Sequence, residues 1–535
     1  MSPAARVGVP AILCLLLAGA LLGAEADFSA VRHGAVGDGK TLCTQAIQKA
    51  IDACAAAGGG RVSLPAGTFL SGTIYLKSRV TLALEEGCTL LGSPNLADYP
   101  ENVPAIRSYT DNYVTRSLIA GEDLERVAVV GRGTIDGNGG AFRRKEYLTR
   151  PYVIRLVNCR EVLVGGLTLR NSPMWMQHYL ACRGVTIRGI TVWNHVSYNN
   201  DGLDIDGCRD VIISGCRLDS DDDALCLKST LGLPCENVAV TNCLLSSHCN
   251  AFKMGTESNG GFRNITFSNS VITLPVGSKA NYGRARGLAG IALEIVDGGR
   301  LENVAISSIV IEGVTSPLFM RLGNRARPFQ KDMPKPAAGT LRNVKLSAIV
   351  ATGVSKTGCA IAGLPGHEIE DVSLTDIYLS FQGGGTSDEA ARAVPENPEK
   401  YPDCTMFGEL PAYGLYVRHA RGIRLTNVRL ATEKGDMRPA LVCDDVENLS
   451  VDGLEAAWSA GAASMLRFTQ VRGATVRGCR PGAPAATFLR LENAATRGVL
   501  LMANDFRGVG KVFEAAPDVA EDTLAEQGNL APAKP

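Results

Sequence analysis

The chain has 535 residues with 54 basic and 54 acidic side chains, so no net charge draws it toward nucleic acid. Fifty-nine glycines and only 6% aromatic residues, among many Val, Ile, Asn and Thr, suit short strands joined by tight turns better than a helical protein. The length admits one very large domain or several ordinary ones.

The N-terminus carries Arg6, an apolar run from Ile12 to Leu22 and Ala24-Glu25-Ala26 before Asp27. This reads as a secretory signal over residues 1–26, and the run is shorter than the roughly 20 residues a membrane span needs. The mature protein is therefore expected to be secreted or periplasmic, with no membrane span. Sixteen cysteines would ordinarily suggest a disulfide framework in an exported chain. Here Cys159, Cys182, Cys208, Cys216, Cys243 and Cys479 recur beside Asn, Gly or strand edges, so the expectation is a stack of buried free thiols. No CxxC spacing signals zinc.

Residues 27–124 read as an N-terminal cap with the first coils. Thr44 can cap a helix whose apolar positions Ala46, Ile47, Ala50, Ile51 and Cys54 share one face, ended by Gly58 to Gly60. From about residue 125 to 515 one phrase recurs, with forms such as REVLVGG, RDVIISG, ENVAVTN and RNVKLSA. Its Val or equivalent stands at 162, 185, 211, 238, 265, 304, 344, 372, 423, 449, 474 and 499. A period near 23 to 28 residues with strand but no helical phase predicts a parallel β-helix, all-β, with residues 516–535 as a tail. Longer spacings mark inserted loops at 274–290, 323–339 and 383–412, all too polar for core and bringing Arg284, Arg286, Arg325 and Arg327. A group at Tyr413, Tyr416, Arg418 and His419 could serve a sugar face or simply pack a loop.

The densest chemistry lies in NNDGLDIDGCRDVIISGCRLDSDDDALCLKS, residues 199–229. Asp201, Asp204 and Asp206 precede Asp221, Asp222 and Asp223 by about one repeat, so stacking brings them together. Like charges at that range raise one another's pKa, a cost that stability alone does not require. Counting in register from Val238 adds His248 and Asn250 one coil away, and Lys253 points to the same patch. Asp204 and Asp206 suit the strand and its turn, Asp221 either ends a strand or joins the site, and His33, His195 and His367 suit satisfied surface positions.

With NNDGLDI, DDDALCLKS, the amino-terminal GAVGDG, GGGRVSLPAGTF and LKSRVTL, and NSPMWMQHYL, the chain resembles the family 28 glycoside hydrolases, polygalacturonase-like β-helix enzymes. That resemblance implies a single-stranded right-handed parallel β-helix with a short capping helix. It implies Asp222 as general acid and Asp201 with Asp223 as the water-activating pair. It also implies inversion at the anomeric carbon, with about 6.5 to 9.5 Å between acid and base. Two departures stand out. SHCNAFKMGTES places Asn250 where the family has histidine, with His248 two residues early, and AGIALEI puts Ala292 and Glu294 where the family has two cations. Arg284, Arg286 or Lys253 would then have to meet a uronate. The expected substrate-contacting set is His248, Asn250, Lys253, Arg284, Arg286 and Glu294, with no cofactor, no metal, a polysaccharide or oligosaccharide as the partner, and a monomeric protein. Two other readings stay open: a Ca²⁺-dependent polysaccharide lyase, with the acids holding the ion, and a non-catalytic glycan-binding solenoid.

Overall fold

A computed structural model describes residues 27–142, 146–275, 285–481 and 485–532. Strand after strand pairs in parallel with its counterpart one coil later, so the chain winds as a right-handed β-helix. Pairing begins at Asp27–Ser29 against Arg61–Ser63 and still holds at Val499 against Leu524. The solenoid is thus longer at both ends than the repeat phrase alone indicates.

The recurring phrase has a conformational cause. The residue before each marked Val is Glu161, Gly184, Asp210, Asn237, Asn264, Asn303, Asn343, Asp371, Gly422, Asn448, Gly473 or Gly498, and all twelve lie at φ between 52° and 73°. Only Gly, and Asn or Asp more readily than other L-residues, adopt this left-handed backbone cheaply. Each coil therefore turns its corner at the same point. The asparagines also stack: Asn237 donates to Asp210 Oδ1 at 2.8 Å, Asn264 to Asn237 at 3.0 Å, Asn303 to Asn264 at 3.1 Å and Asn343 to Asn303 at 2.8 Å.

Helix α1, Thr44–Ala56, buries Ile47, Ala50, Ile51 and Cys54 against the first coils, closing an otherwise open end. Thr44 is its first residue, not its cap; the Thr44 hydroxyl instead accepts from the Gly72 N–H at 2.8 Å. All fifteen cysteines from Cys43 onward are buried, stacked partly on one another: Cys159 N–H donates to Cys182 Sγ and Cys182 N–H to Cys208 Sγ.

One expectation about the insertions is corrected. In residues 383–412, Cys404, Met406, Phe407, Leu410 and Ala412 are buried against Ala292, Phe319, Ala360 and Tyr416 in a second apolar cluster. The insertion is polar on average but folds back as a lid over one face of the coils. Tyr416 is consumed in that packing, and Tyr413 is buried with its hydroxyl on the Ala457 carbonyl at 2.6 Å. Arg418 and His419 pair with Glu396. This group packs a loop.

Candidate active site

Five consecutive strands of one stack carry the site: β1 (Gln177–Leu180), β2 (Leu203–Asp206), β3 (Leu225–Ser229), β4 (Phe252–Ser258) and β5 (Ala289–Ile295). Leu203 pairs with Leu225 and Leu225 with Phe252, so the turn residues before them fall into rows. Asp201, Asp223 and Asn250 form one row, and the Gly202 N–H to Asp223 carbonyl bond (2.9 Å) and the Ala224 N–H to Asn250 carbonyl bond (2.9 Å) hold it. Alternation does the rest. Ile205, Leu227, Met254 and Leu293 face the core, while Asp204, Cys226 and Lys253 face outward.

The three aspartates converge: one oxygen from each of Asp201, Asp222 and Asp223 lies within 4.8 Å of the others. This is closer than the acid–base separation the resemblance implies. Asp201 and Asp223 are buried; Asp222 alone of the three is partly exposed. Its N–H donates to Asn200 Oδ1 at 3.1 Å, and its carbonyl accepts from the Ser220 and Ser247 hydroxyls at 2.7 and 2.6 Å. The backbone beneath the most accessible carboxylate is thereby fixed.

Two lysines hold the buried pair. Lys253 Nζ is 3.1 Å from Asp223 Oδ2, and the Asn250 side-chain amide donates to Asp223 Oδ1 at 2.7 Å. Lys228 Nζ lies 3.2 Å from Asp201, 3.4 Å from Asp204 and 3.8 Å from Glu257. Burial would raise the Asp223 carboxyl, yet Lys253, Lys228 and Asn250 together keep it below its ordinary value. Burial and the charges of Asp204 and Asp222 push Asp201 well above the usual carboxylate range, with Lys228 opposing. Neighbouring carboxyls of one type are thus driven apart, one toward the proton and one away from it.

A register shift between Leu227 and Ser229 in the β3–β4 pairing brings Glu257 opposite Lys228. Arg327 then reaches Glu257 at 2.5 Å and lies 3.6 Å from the Tyr109 ring centroid, and Arg325 pairs with Asp297. These contacts fold the 323–339 insertion over the acids. Two cavities meet at Asp222 and Asp223. One, of about 230 Å³, is walled by Tyr109, Tyr113, Trp175, Asp201, Lys228 and Arg327, and Lys228 Nζ sits 4.4 Å from the Trp175 ring. The other, of about 280 Å³, is walled by Asn250, Lys253, Leu288, Tyr401 and Asp403.

Of the residues expected to touch substrate, Asn250 and Lys253 line the second cavity. Arg284 lies outside the described residues. Three others are placed elsewhere. Arg286 donates to the Gly353 and Gly313 carbonyls at 2.6 and 3.3 Å, bracing neighbouring coils. His248 is buried, with Nδ1 2.7 Å from the accepting Asp221 Oδ1, because its row is one step behind that of Asp222. Glu294 is wholly buried, 3.9 Å from Lys253, with neither oxygen hydrogen-bonded, and burial first, then Asp223 and Asp403, raise its carboxyl to about 8. It lies beneath Lys253, not in the cavity.

His195 is likewise no surface residue. It bridges Asp221 at 2.7 Å and Asp219 at 3.0 Å, and these two carboxylates outweigh burial and raise it to about 9. Asp206 is structural, bound by His178 at 2.9 Å and the Thr230 hydroxyl at 2.5 Å. Among the described residues, two groups have donor sets a cation could use: Asp201 with Asp222 and Asp223, and His195 with Asp221 and His248. In the first, the lysine ammoniums already occupy the position of counter-charge. Sequence reasoning missed Glu257, Trp175, Tyr109 and Tyr401 as cleft residues, since each depends on a loop or a register shift that no repeat records.

Carboxylates, committed lysines and aromatic walls above a coil stack define a carbohydrate-processing β-helix. The chain belongs to the glycosyl hydrolases family 28, whose model matches residues 54–398, and it is a glycoside hydrolase of the polygalacturonase type. It is 28% identical over 374 residues to a probable polygalacturonase of Vitis vinifera, covering 66% of this chain and 74% of that one. It is 26% identical over 339 residues to an exo-poly-alpha-D-galacturonosidase of Dickeya chrysanthemi, covering 52% of this chain and only 56% of the relative. In fold it is similar to a hyperthermoactive exopolygalacturonase from Thermotoga maritima, with a TM-score of 0.60 and 24% identity over 76% of this chain and 91% of that one.

Proposed function

We propose that this is a secreted or periplasmic hydrolase of pectin-type polysaccharide, with Asp222 as acid and Asp223, beside Asp201, as the water-activating base. One observation carries the reading: the partly exposed Asp222 stands where two cavities meet, next to a carboxylate that Lys253 keeps ionised. Water attacks the anomeric carbon and gives its proton to Asp223, while the leaving oxygen takes the proton of Asp222 as the glycosidic bond breaks. Lys228, Lys253 and Arg327 are the cations that line the cavities among the described residues, and they suit a uronate polymer.

Incubation with polygalacturonate should release reducing ends without unsaturated products, and a chelator should leave the rate unchanged. Unsaturated ends with chelator sensitivity would establish the lyase instead. NMR of the first-formed product should show inversion; a retained anomer would make a buried aspartate the nucleophile, which the short oxygen separations also permit.

A further inference from the structure

Residues after 398 lie beyond the family match, yet they continue the same stack and open a third cavity on the same face. The outward row that holds Lys253 runs on through Ala292, Phe319, Ala360, Tyr416 and Val442 to Arg467 and Arg490. Arg467 and Arg490 reach a cavity of about 300 Å³ that also takes in Met437, Pro439, Ser464 and Glu492. It is seven coils from β3, roughly 34 Å at about 4.8 Å per coil.

Polar groups in this cavity are left incomplete. Ser464 is 1% exposed and its hydroxyl has no hydrogen-bond partner, and Arg467 Nε is buried without one. Buried polar groups left without a partner are costly, and native proteins rarely keep them without a reason. Arg467 is held in place by its Nη1 bond to the Ala390 carbonyl at 2.6 Å, near the start of the lid insertion. Glu492 lies 2.8 Å from Arg490 and 4.0 Å from Arg467, so two guanidiniums share one carboxylate and a positive charge remains. Met437 and Pro439 offer an apolar wall beside these donors.

We infer that this cavity is a second glycan site that takes an anionic sugar unit, a uronate, of the polymer whose other segment lies at Asp222. A carboxylate would meet Arg490 and the Arg467 Nε, which makes no hydrogen bond, a ring hydroxyl would accept from or donate to Ser464, and the C–H face of the sugar would rest on Met437 and Pro439. The inference rests on the proposed hydrolase activity for the identity of the sugar, and on the cavity for its place.

Calorimetric titration of the full chain with a galacturonate trimer separates the two. Two binding events are expected, and Arg490→Glu should weaken one of them at least tenfold while turnover of the trimer is unchanged. On the polymer the same variant should raise KM severalfold with kcat unaltered. Ser464→Ala, which removes only the hydroxyl, should weaken the same event. A single binding event in the parent protein, or two that neither variant alters, overturns the second site and leaves the hydrolase reading standing. Two variant-sensitive events without any galacturonan hydrolysis would uphold this site while overturning that reading.

Discussion

Each coil has two faces that treat charge in opposite ways. Along the exposed corner, Arg209, Glu236, Arg263, Glu302 and Arg342 follow one another in register, alternating in sign, with Arg263–Glu236 at 3.0 Å and Arg342–Glu302 at 2.7 Å. On the cleft face, Asp201, Asp204, Asp222 and Asp223 crowd together, three of them buried, against two lysines. The first arrangement is what strand pairing favours: opposite charges on neighbouring strands, each worth a fraction of a kcal/mol. The second runs against stability, and the fold offsets it with Lys228 on Asp201 and Asp204 and Lys253 on Asp223, while the covering loops add Arg327 on Glu257 and the Tyr401 hydroxyl on Lys253.

The sharpest break of this contrast is Asp222→Asn. Turnover should fall by about 10²–10⁴-fold, the range of an acid–base contribution, with the thermal melt unmoved because Asp222 is the partly exposed member. Equal loss of stability and activity would place it in the framework instead. Lys253→Met comes next. It strands Asp223 in a buried position and should cost about 3–5 kcal/mol in urea unfolding at neutral pH; a neutral result would mean the pair is dispensable to the fold.

Glu294 sharpens the comparison through pH. Its folded carboxyl titrates at about 8, above the ordinary 4.5, so between these values the folded state holds a proton that the unfolded state has released. Stability from this group is complete below about 4.5 and is lost as pH rises to 8, with a slope of about 1.4 kcal/mol per pH unit. Glu294→Gln should flatten that part of the stability profile; an unchanged slope would show that the carboxyl is ionised in the folded protein. The smallest effect is expected on the other face. Arg342→Ala should leave the thermal melt almost unmoved, and any shift should shrink further at high salt.

How much of this was legible in the sequence follows from which features repeat. The left-handed corner recurs from coil to coil, so the repeated polar residue or Gly before Val announced the solenoid, and the register then set Asp222 and Asp223 one coil from Asn250. The clustered aspartates were readable because their motifs lie within two adjacent coils. What escaped was set by single events. The two extra residues that shift β4 put Glu257 beside Lys228. The 383–412 segment hides its apolar residues among Gly, Pro and Glu, so its role as a lid was invisible. Glu294 was assigned by its position in a motif and Arg286 by its place in an insertion, but Glu294 is wholly buried beneath Lys253 and Arg286 is held by carbonyls of neighbouring coils.

The stacked thiols have a practical consequence. A thiol inside a coil is out of reach of any alkylating reagent until its own rung opens, because solenoids fray rung by rung and each rung contacts only its neighbours. Cysteines at 43, 54 and 88 near one end, 159 to 249 around the acids, and 359 to 479 toward the other end therefore amount to a built-in clock. The order in which they become labelled would trace how this rod comes apart.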